Sequence, residues 1–194
     1  MFGGEDLSSK RIADFIDNNI AKVGRKYEKS DVIKYIDISS IDNSQQEIVQ
    51  YTDYTVDKAP SRAQQIVQKG DVLISTVRPN LRNVAIVKDD YENLVASTGF
   101  CVLRPNRQTT TEYLFAIVST VGFAEYLAGR AKGANYPAVN GSDIKEYEIP
   151  QPDLETQHRF ADFVRQADKS KFELQRTIDE LEATYKSLIR ENLG

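Results

Sequence analysis

From Asp153 to Gly194 the chain reads DLETQHRFADFVRQADKSKFELQRTIDELEATYKSLIRENLG, with no Pro, and no Gly before the last residue. Phe160, Val164, Ala167, Lys171, Leu174, Ile178, Leu181, Tyr185 and Leu188 recur in steps alternating between four and three. That is an a/d seam sustained over about four heptads. Asp153 offers an N-cap, and a helix from Leu154 to Asn192 would be about 57 Å long at 1.5 Å per residue. Such a rod outruns the globular part that precedes it. Its stripe therefore calls for a second helix, from another chain or a larger assembly. The bland alternative is an amphipathic helix folded back on its own domain. Lys171, in mid-seam, either snorkels outward or fixes register and orientation at some cost in stability.

Upstream, residues 1–150 mix strand and helix signals. Asp31 to Ile41 is β-branched and roughly alternating, which predicts a strand. Gly70-Asp71 is a turn that launches the apolar run Val72 to Val77. Pro79-Asn80 breaks that run, Asn83 to Val87 returns, and Leu94 to Leu103 holds a further strand ended by Pro105. Thr111 to Gly129 switches to three- and four-residue steps, which predicts one helix capped from Thr109 to Thr111. Residues 130–142 read as a Gly- and Asn-containing loop, with Ser142-Asp143 capping a turn before a last strand from Glu146 to Ile149. The expected fold class is α+β, a small, mostly antiparallel or mixed sheet followed by a long C-terminal coiled-coil helix. The expected division is a globular domain over 1–150 and a pairing helix over 151–194.

The 194 residues are 40% hydrophobic and 28% charged, ordinary globular values. Twenty-five Lys and Arg against 29 Asp and Glu give a net charge of −4, so bulk positive charge cannot hold this chain to nucleic acid. One Cys (Cys101) and one His (His158) preclude an intrachain disulfide and a Cys/His zinc site. The N-terminus lacks a signal-peptide profile, and the longest apolar run, Leu114 to Val118, is too short for a bilayer. A cytoplasmic protein with no membrane contact is expected. No phosphate loop or catalytic triad can be assembled. Asp143-Ile144-Lys145 matches a minimal D-x-K nuclease pattern, but no upstream carboxylate is placed to share a metal. His158 reads as a surface or packing residue and Cys101 as a buried small hydrophobe. No catalytic or metal-ligating residue is assigned.

Basic and amide side chains are clustered rather than abundant. Lys22, Arg25 and Lys26 lie with Tyr27 in one loop; Arg78, Asn80 and Arg82 lie in the turn between two apolar strands. Arg130, Lys132, Asn135, Tyr136 and Asn140 lie in the Gly-containing loop. Arg can fork onto guanine, Asn onto adenine and Lys onto phosphate, so these are the side chains that direct readout of double-stranded DNA needs. A set of solvated turns is the alternative.

Three stretches carry a family resemblance. The first two are Gly70-Asp71-Val72-Leu73-Ile74-Ser75-Thr76-Val77-Arg78 and Ser97-Thr98-Gly99-Phe100-Cys101-Val102-Leu103-Arg104-Pro105. The third runs from Gly133-Ala134-Asn135-Tyr136-Pro137 through Asn140, Ile144 and Ile149-Pro150-Gln151-Pro152 to Leu154-Glu155-Thr156-Gln157. Together they resemble the specificity subunit of type I restriction–modification systems; the last looks like its G-x-x-x-P-x-x-N … I-P-x-P-x-L-E-x-Q junction. The resemblance implies a target recognition domain that reads DNA and performs no catalysis. Methyltransferase (modification) and restriction subunits would be its partners, with S-adenosylmethionine on the modification subunit and no cofactor on this chain. A full subunit of the family holds two recognition domains apart with two antiparallel helices; here there is one of each. An antiparallel homodimer would rebuild the pair and read inverted half-sites. The rival reading is a coiled-coil dimerising protein-interaction module without DNA readout.

Overall fold

A computed structural model describes residues 8–133 and 137–193. In chain order the strands begin with β1 (Ser9–Arg11), β2 (Ile16–Asp17), β3 (Val32–Ile36), β4 (Ile41–Asp42), β5 (Glu47–Ile48) and β6 (Thr52–Thr55). There follow β7 (Ala63–Ile66), β8 (Val72–Ser75), β9 (Val84–Ile86), β10 (Leu94–Ser97) and β11 (Phe100–Pro105). Helices α1 (Thr111–Val118), α2 (Val121–Ala128) and α3 (Gly141–Lys145) precede β12 (Glu148–Pro150) and the long α4 (Leu154–Leu193).

Two four-stranded sheets form the body, in orders β6-β3-β10-β7 and β2-β11-β8-β9. The first is mixed, with β10 parallel to β3; the second is antiparallel throughout. Alternation along each strand explains the layering. On β8, Leu73 joins Ala85, Leu94, Ala96, Phe100 and Val102 in the core between the sheets. Its neighbours Val72 and Ile74 face the other way, into Cys101, Leu103, Leu114, Phe123 and Leu127 under α1 and α2. Both faces of β8 are covered, which is why its sequence is a continuous apolar run. The outer face of the first sheet buries Ile33, Tyr35 and Val95 beneath Val23 and a single 3₁₀ turn, Val23–Arg25.

Several expectations need correcting. The apolar stretch Leu94 to Leu103 is two strands in different sheets, with Thr98-Gly99 as the step between them. A Cβ on Gly99 would lie 2.9 Å from Ile38 Cδ1, so a larger residue at this crossing would push the end of that side chain aside. The predicted strand over 31–41 stops at Ile36, and Ile38–Ser40 forms a 3₁₀ turn capped by Asp37, whose carboxylate accepts from the Ile38 N–H (2.7 Å). The single helix expected from Thr111 to Gly129 is two. Thr120 breaks it, its hydroxyl donating to the Ile117 carbonyl (2.7 Å) while accepting from the Phe123 N–H (3.2 Å). Part of the 130–142 loop is α3, capped by Asn140 rather than by Ser142-Asp143. The final strand, placed at 148–150, pairs antiparallel with β1, a strand with no clear sequence signal.

An ion pair within the second sheet, between the end of β11 and the residue leading into β8, also reaches the first sheet. Arg104 at the end of β11 donates from Nε and Nη2 to the two carboxylate oxygens of Asp71 at 2.9 and 2.8 Å. Its Nη2 also reaches the Ile66 carbonyl of the other sheet (3.3 Å). Asp71 is fully buried, and its carboxylate also accepts the Gln68 N–H (2.9 Å). A buried charge needs this full complement of partners.

The foot of α4 is tied to the same body. Gln157 is completely buried, and its amide is saturated. Oε1 accepts from the Thr109 hydroxyl (3.1 Å) and the Thr110 N–H (3.0 Å). Nε2 donates to the carbonyls of Gln108 (2.9 Å) and Pro152 (3.0 Å). Asp153 caps the helix, accepting the Thr156 N–H (2.7 Å), and Phe160 meets Tyr113 edge-on at 5.5 Å. Of the predicted seam, Phe160 and Val164 are therefore half-buried against the chain's own domain, whereas Ala167, Leu174, Ile178, Leu181 and Tyr185 are exposed. The side chains of Lys171 and Leu188 lie outside the described residues. Phe163 and Ile189, which the a/d pattern leaves out, add to the exposed apolar stripe. At 1.5 Å per residue the 40-residue helix is about 60 Å long.

Candidate nucleic-acid interface

Beyond β8 the backbone turns tightly. The Ser75 hydroxyl donates to the Val77 carbonyl (2.9 Å), and the chain then enters the left-handed region at Arg78 (φ 50°, ψ 61°). Pro79–Leu81 make one 3₁₀ turn, and Arg82 is left-handed again (φ 50°, ψ 44°). For a side chain with a Cβ this conformation costs about 1–2 kcal/mol per residue, so the surroundings must impose it. Pro79 is buried, while Arg78, Asn80 and Arg82 project outward. The turn is a rigid mount for exposed side chains.

The Gly-containing loop is joined to it through the backbone. The Arg78 N–H donates to the Pro137 carbonyl (2.7 Å), the Val139 N–H to the Thr76 carbonyl (2.9 Å), and Lys132 and Ala138 exchange two bonds of 2.9 Å. Lys132 is thereby held two strand-widths from the start of the Arg78 turn, with Ala138 bridging between it and Val77, and it is exposed. Arg130 stacks its guanidinium 3.7 Å from the centre of the Tyr126 ring, an arrangement that holds the cation in place. Asn140 takes the N-cap position of α3, its N–H donating to the Asp143 carboxylate (2.7 Å). Asn135 and Tyr136 lie outside the described residues.

Lys22, Arg25 and Lys26 are exposed but sit elsewhere. Lys22 bridges to Gln65 along the outer edge of β7, and Lys26 lies over the Tyr27 ring with its Nζ 3.4 Å from the Glu92 carbonyl, just before β10. The Arg78 turn approaches the opposite end of β10, where the Thr76 N–H donates to the Gly99 carbonyl (2.9 Å). The structure thus gathers two of the three predicted clusters and leaves the third apart. It also adds Arg62, exposed at the start of β7, whose carbonyl accepts the Thr98 N–H beside Gly99 (2.9 Å). A lone Arg before a polar strand gave no pattern by which to find it.

Burial pushes the Cys101 thiol up to about 11. His158 points outward from α4. Asp143 of the D-x-K pattern caps α3, and Lys145 donates to the Asn18 side chain (2.7 Å). Among the described residues no three His, Cys, Asp or Glu side chains are grouped to hold a metal ion, and no helix is long and apolar enough to cross a membrane.

Residues 5–183 match the model of the type I restriction modification DNA specificity domain. The chain belongs to this family. Among specificity subunits, that of type I restriction enzyme HindI from Haemophilus influenzae is 29% identical over 124 residues, covering 62% of this chain and 27% of that protein. The MjaIX subunit from Methanocaldococcus jannaschii is 34% identical over 96 residues, covering 50% of this chain and 21% of that protein. The crystal structure of the HsdS subunit from Thermoanaerobacter tengcongensis superimposes with a TM-score of 0.84 at 30% identity, over 97% of this chain and 50% of that one. A chain from a study of complex assembly and conformational transition in the type I R-M system gives 0.88 at 30% identity, over 98% and 50%. The S subunit from M. genitalium, at 14% identity and a TM-score of 0.54, shares the fold. This chain spans half the length of the two more similar structures and about a quarter of the curated relatives.

Proposed function

We propose that this specificity domain reads one half of a split target in double-stranded DNA and pairs antiparallel through α4 with a second copy, which reads the other half. Nearly the whole chain matches half of a type I specificity subunit, and this observation carries the reading. The exposed Leu174, Ile178, Leu181 and Tyr185 supply the surface on which a second helix would close the pair. In this reading the chain is not an enzyme. Modification subunits, carrying S-adenosylmethionine, and a restriction subunit dock around the paired helices and perform the chemistry. Affinity is shared across the assembly, so a chain with a net charge of −4 needs only local contacts from Arg78, Asn80, Arg82 and Lys132.

Selection from a random duplex pool by the chain with its modification subunits tests the reading. A two-part motif with inverted halves is expected, and R78A/R82A should weaken its binding. The negative charge favours the rival, a dimerising protein-interaction module; enrichment of no sequence above background would establish that instead.

A further inference from the structure

Three non-glycine residues among those described have a positive φ: Gln46 (55°), Arg78 and Arg82. Two of them flank the turn already described. The third lies in the hairpin joining β4 to β5, remote in sequence but adjacent in space. The Asn43 side-chain amide donates to the Leu81 carbonyl in the middle of the Arg78–Arg82 turn (3.5 Å). Strained backbone persists only where surrounding structure enforces it, and it concentrates where side chains must be presented in one pose. Here it marks two touching loops and no other described place.

We infer that the hairpin tip Asn43–Gln46 and the Arg78–Arg82 turn form one composite reading edge, in which Asn43 and Gln45 contact base edges beside Asn80. This assignment rests on the DNA-reading function proposed above. The side chains at the tip favour nucleic acid. Asn43, Ser44 and Gln45 are exposed, and amides of this type fork onto adenine N6 and N7. The two acids of the hairpin both have hydrogen-bond or ion-pair partners. Asp42 accepts from the Ser44 N–H (2.8 Å), the Ser44 hydroxyl (2.6 Å), the Gln45 N–H (3.3 Å) and the Gln45 amide (3.3 Å). These bonds hold its carboxyl below the ordinary carboxylate range and turn its charge toward the tip's own backbone. Glu47 is paired with Lys88. The exposed amides of Asn43 and Gln45 therefore stand beside a carboxylate whose oxygens are already engaged by the hairpin itself. Gln45 and Gln46 also line, with Phe115, Val164 and Arg165, a groove of about 180 Å³.

The test is duplex-pool selection with the full chain and its modification subunits, comparing wild type with N43A/Q45A and with N43D. The wild type must first enrich a split motif; if it enriches none, the DNA-reading function itself fails. Given that motif, N43A/Q45A should lose discrimination at one or two base pairs by about tenfold, the lower range for one bidentate amide contact, while the remaining positions hold. N43D keeps the size and turn preference of Asn but replaces its donor, and should change preference at the same positions. Thermal unfolding of each variant, expected within a few degrees of wild type, separates reading from folding. An unchanged motif and affinity in both variants overturns the assignment. So does an unchanged motif with lost co-purification of the modification subunits, which would make the hairpin a protein-docking element.

Discussion

The two ends of α4 share one helical repeat and have opposite surroundings. Its first three turns are held by a saturated buried amide, an aromatic edge contact and an N-cap, all supplied by its own domain. From Ala167 onward, none of the described apolar side chains packs on the domain, and Leu174, Leu181 and Tyr185 are each about two-thirds exposed. What steadies that outer length within the chain is a series of i,i+4 ion pairs, Lys169–Glu173, Arg176–Glu180 and Glu182–Lys186. Exposed pairs of this kind are worth about 0.3–0.5 kcal/mol each. An apolar stripe of this length in water is a surface awaiting a partner. The foot is a joint; the outer length is the surface of the proposed pairing.

Breaking the outer length should have the largest effect. I178D/L181D places two charges per chain in the proposed seam and should weaken self-association by about 1,000-fold or more, since unpaired charges do not bury. Light scattering after size exclusion should show dimer becoming monomer, with domain unfolding unchanged; a wild-type monomer at tens of micromolar would remove the pairing altogether. Breaking the foot comes next. Q157L leaves the Thr109 hydroxyl, the Thr110 N–H and two carbonyls without their partner, and should cost about 3 kcal/mol in urea unfolding, because each buried unsatisfied group costs about 1–3 kcal/mol. A loss below 1 kcal/mol would mean that the joint is held by packing alone. K171L replaces the polar residue of the seam and should tighten dimerisation about tenfold if that residue trades stability for register. An unchanged constant would place Lys171 outside the contact.

The smallest effect concerns pH. Hydrogen bonds from the Thr156 backbone and side chain hold Asp153 below its ordinary value of 3.8. A depressed carboxyl stabilises the folded state above its unfolded value and loses that contribution as pH falls through the folded one. The stability difference between wild type and D153N should therefore be present at pH 6 and shrink below about pH 4. A difference independent of pH would show that the cap acts without its charge.

The same contrast explains what was legible in the sequence. The long helix announced itself because its period runs without Pro or Gly, and β8 because both of its faces are buried. The break at Thr120 was hidden: a threonine capped the second helix while apolar spacing continued through it. Strand β7 reads Ala-Gln-Gln-Ile, and its Gln65 is absorbed by bonds to the Ser97 and Phe100 carbonyls (2.8 and 2.9 Å), partners that no local pattern announces. Of the interface, residue types were visible but neighbourhood was not. The bridges joining Thr76 and Arg78 to Pro137 and Val139 are made by backbone atoms, which leave no trace in side-chain identity. For the same reason Lys22–Lys26 looked equivalent to the loops it does not join.

One consequence follows from the ion pair between Asp71 and Arg104. It fixes the residue that leads into β8, and the turn bearing Arg78 and Arg82 follows the other end of the same strand. The strand acts as a strut, clamped at its base by that ion pair and at its tip by main-chain bonds to Gly99, Pro137 and Val139. Under the proposed reading, exchanging the exposed side chain at Asn80 would alter the contact surface while the main-chain bonds on either side of it stay in place.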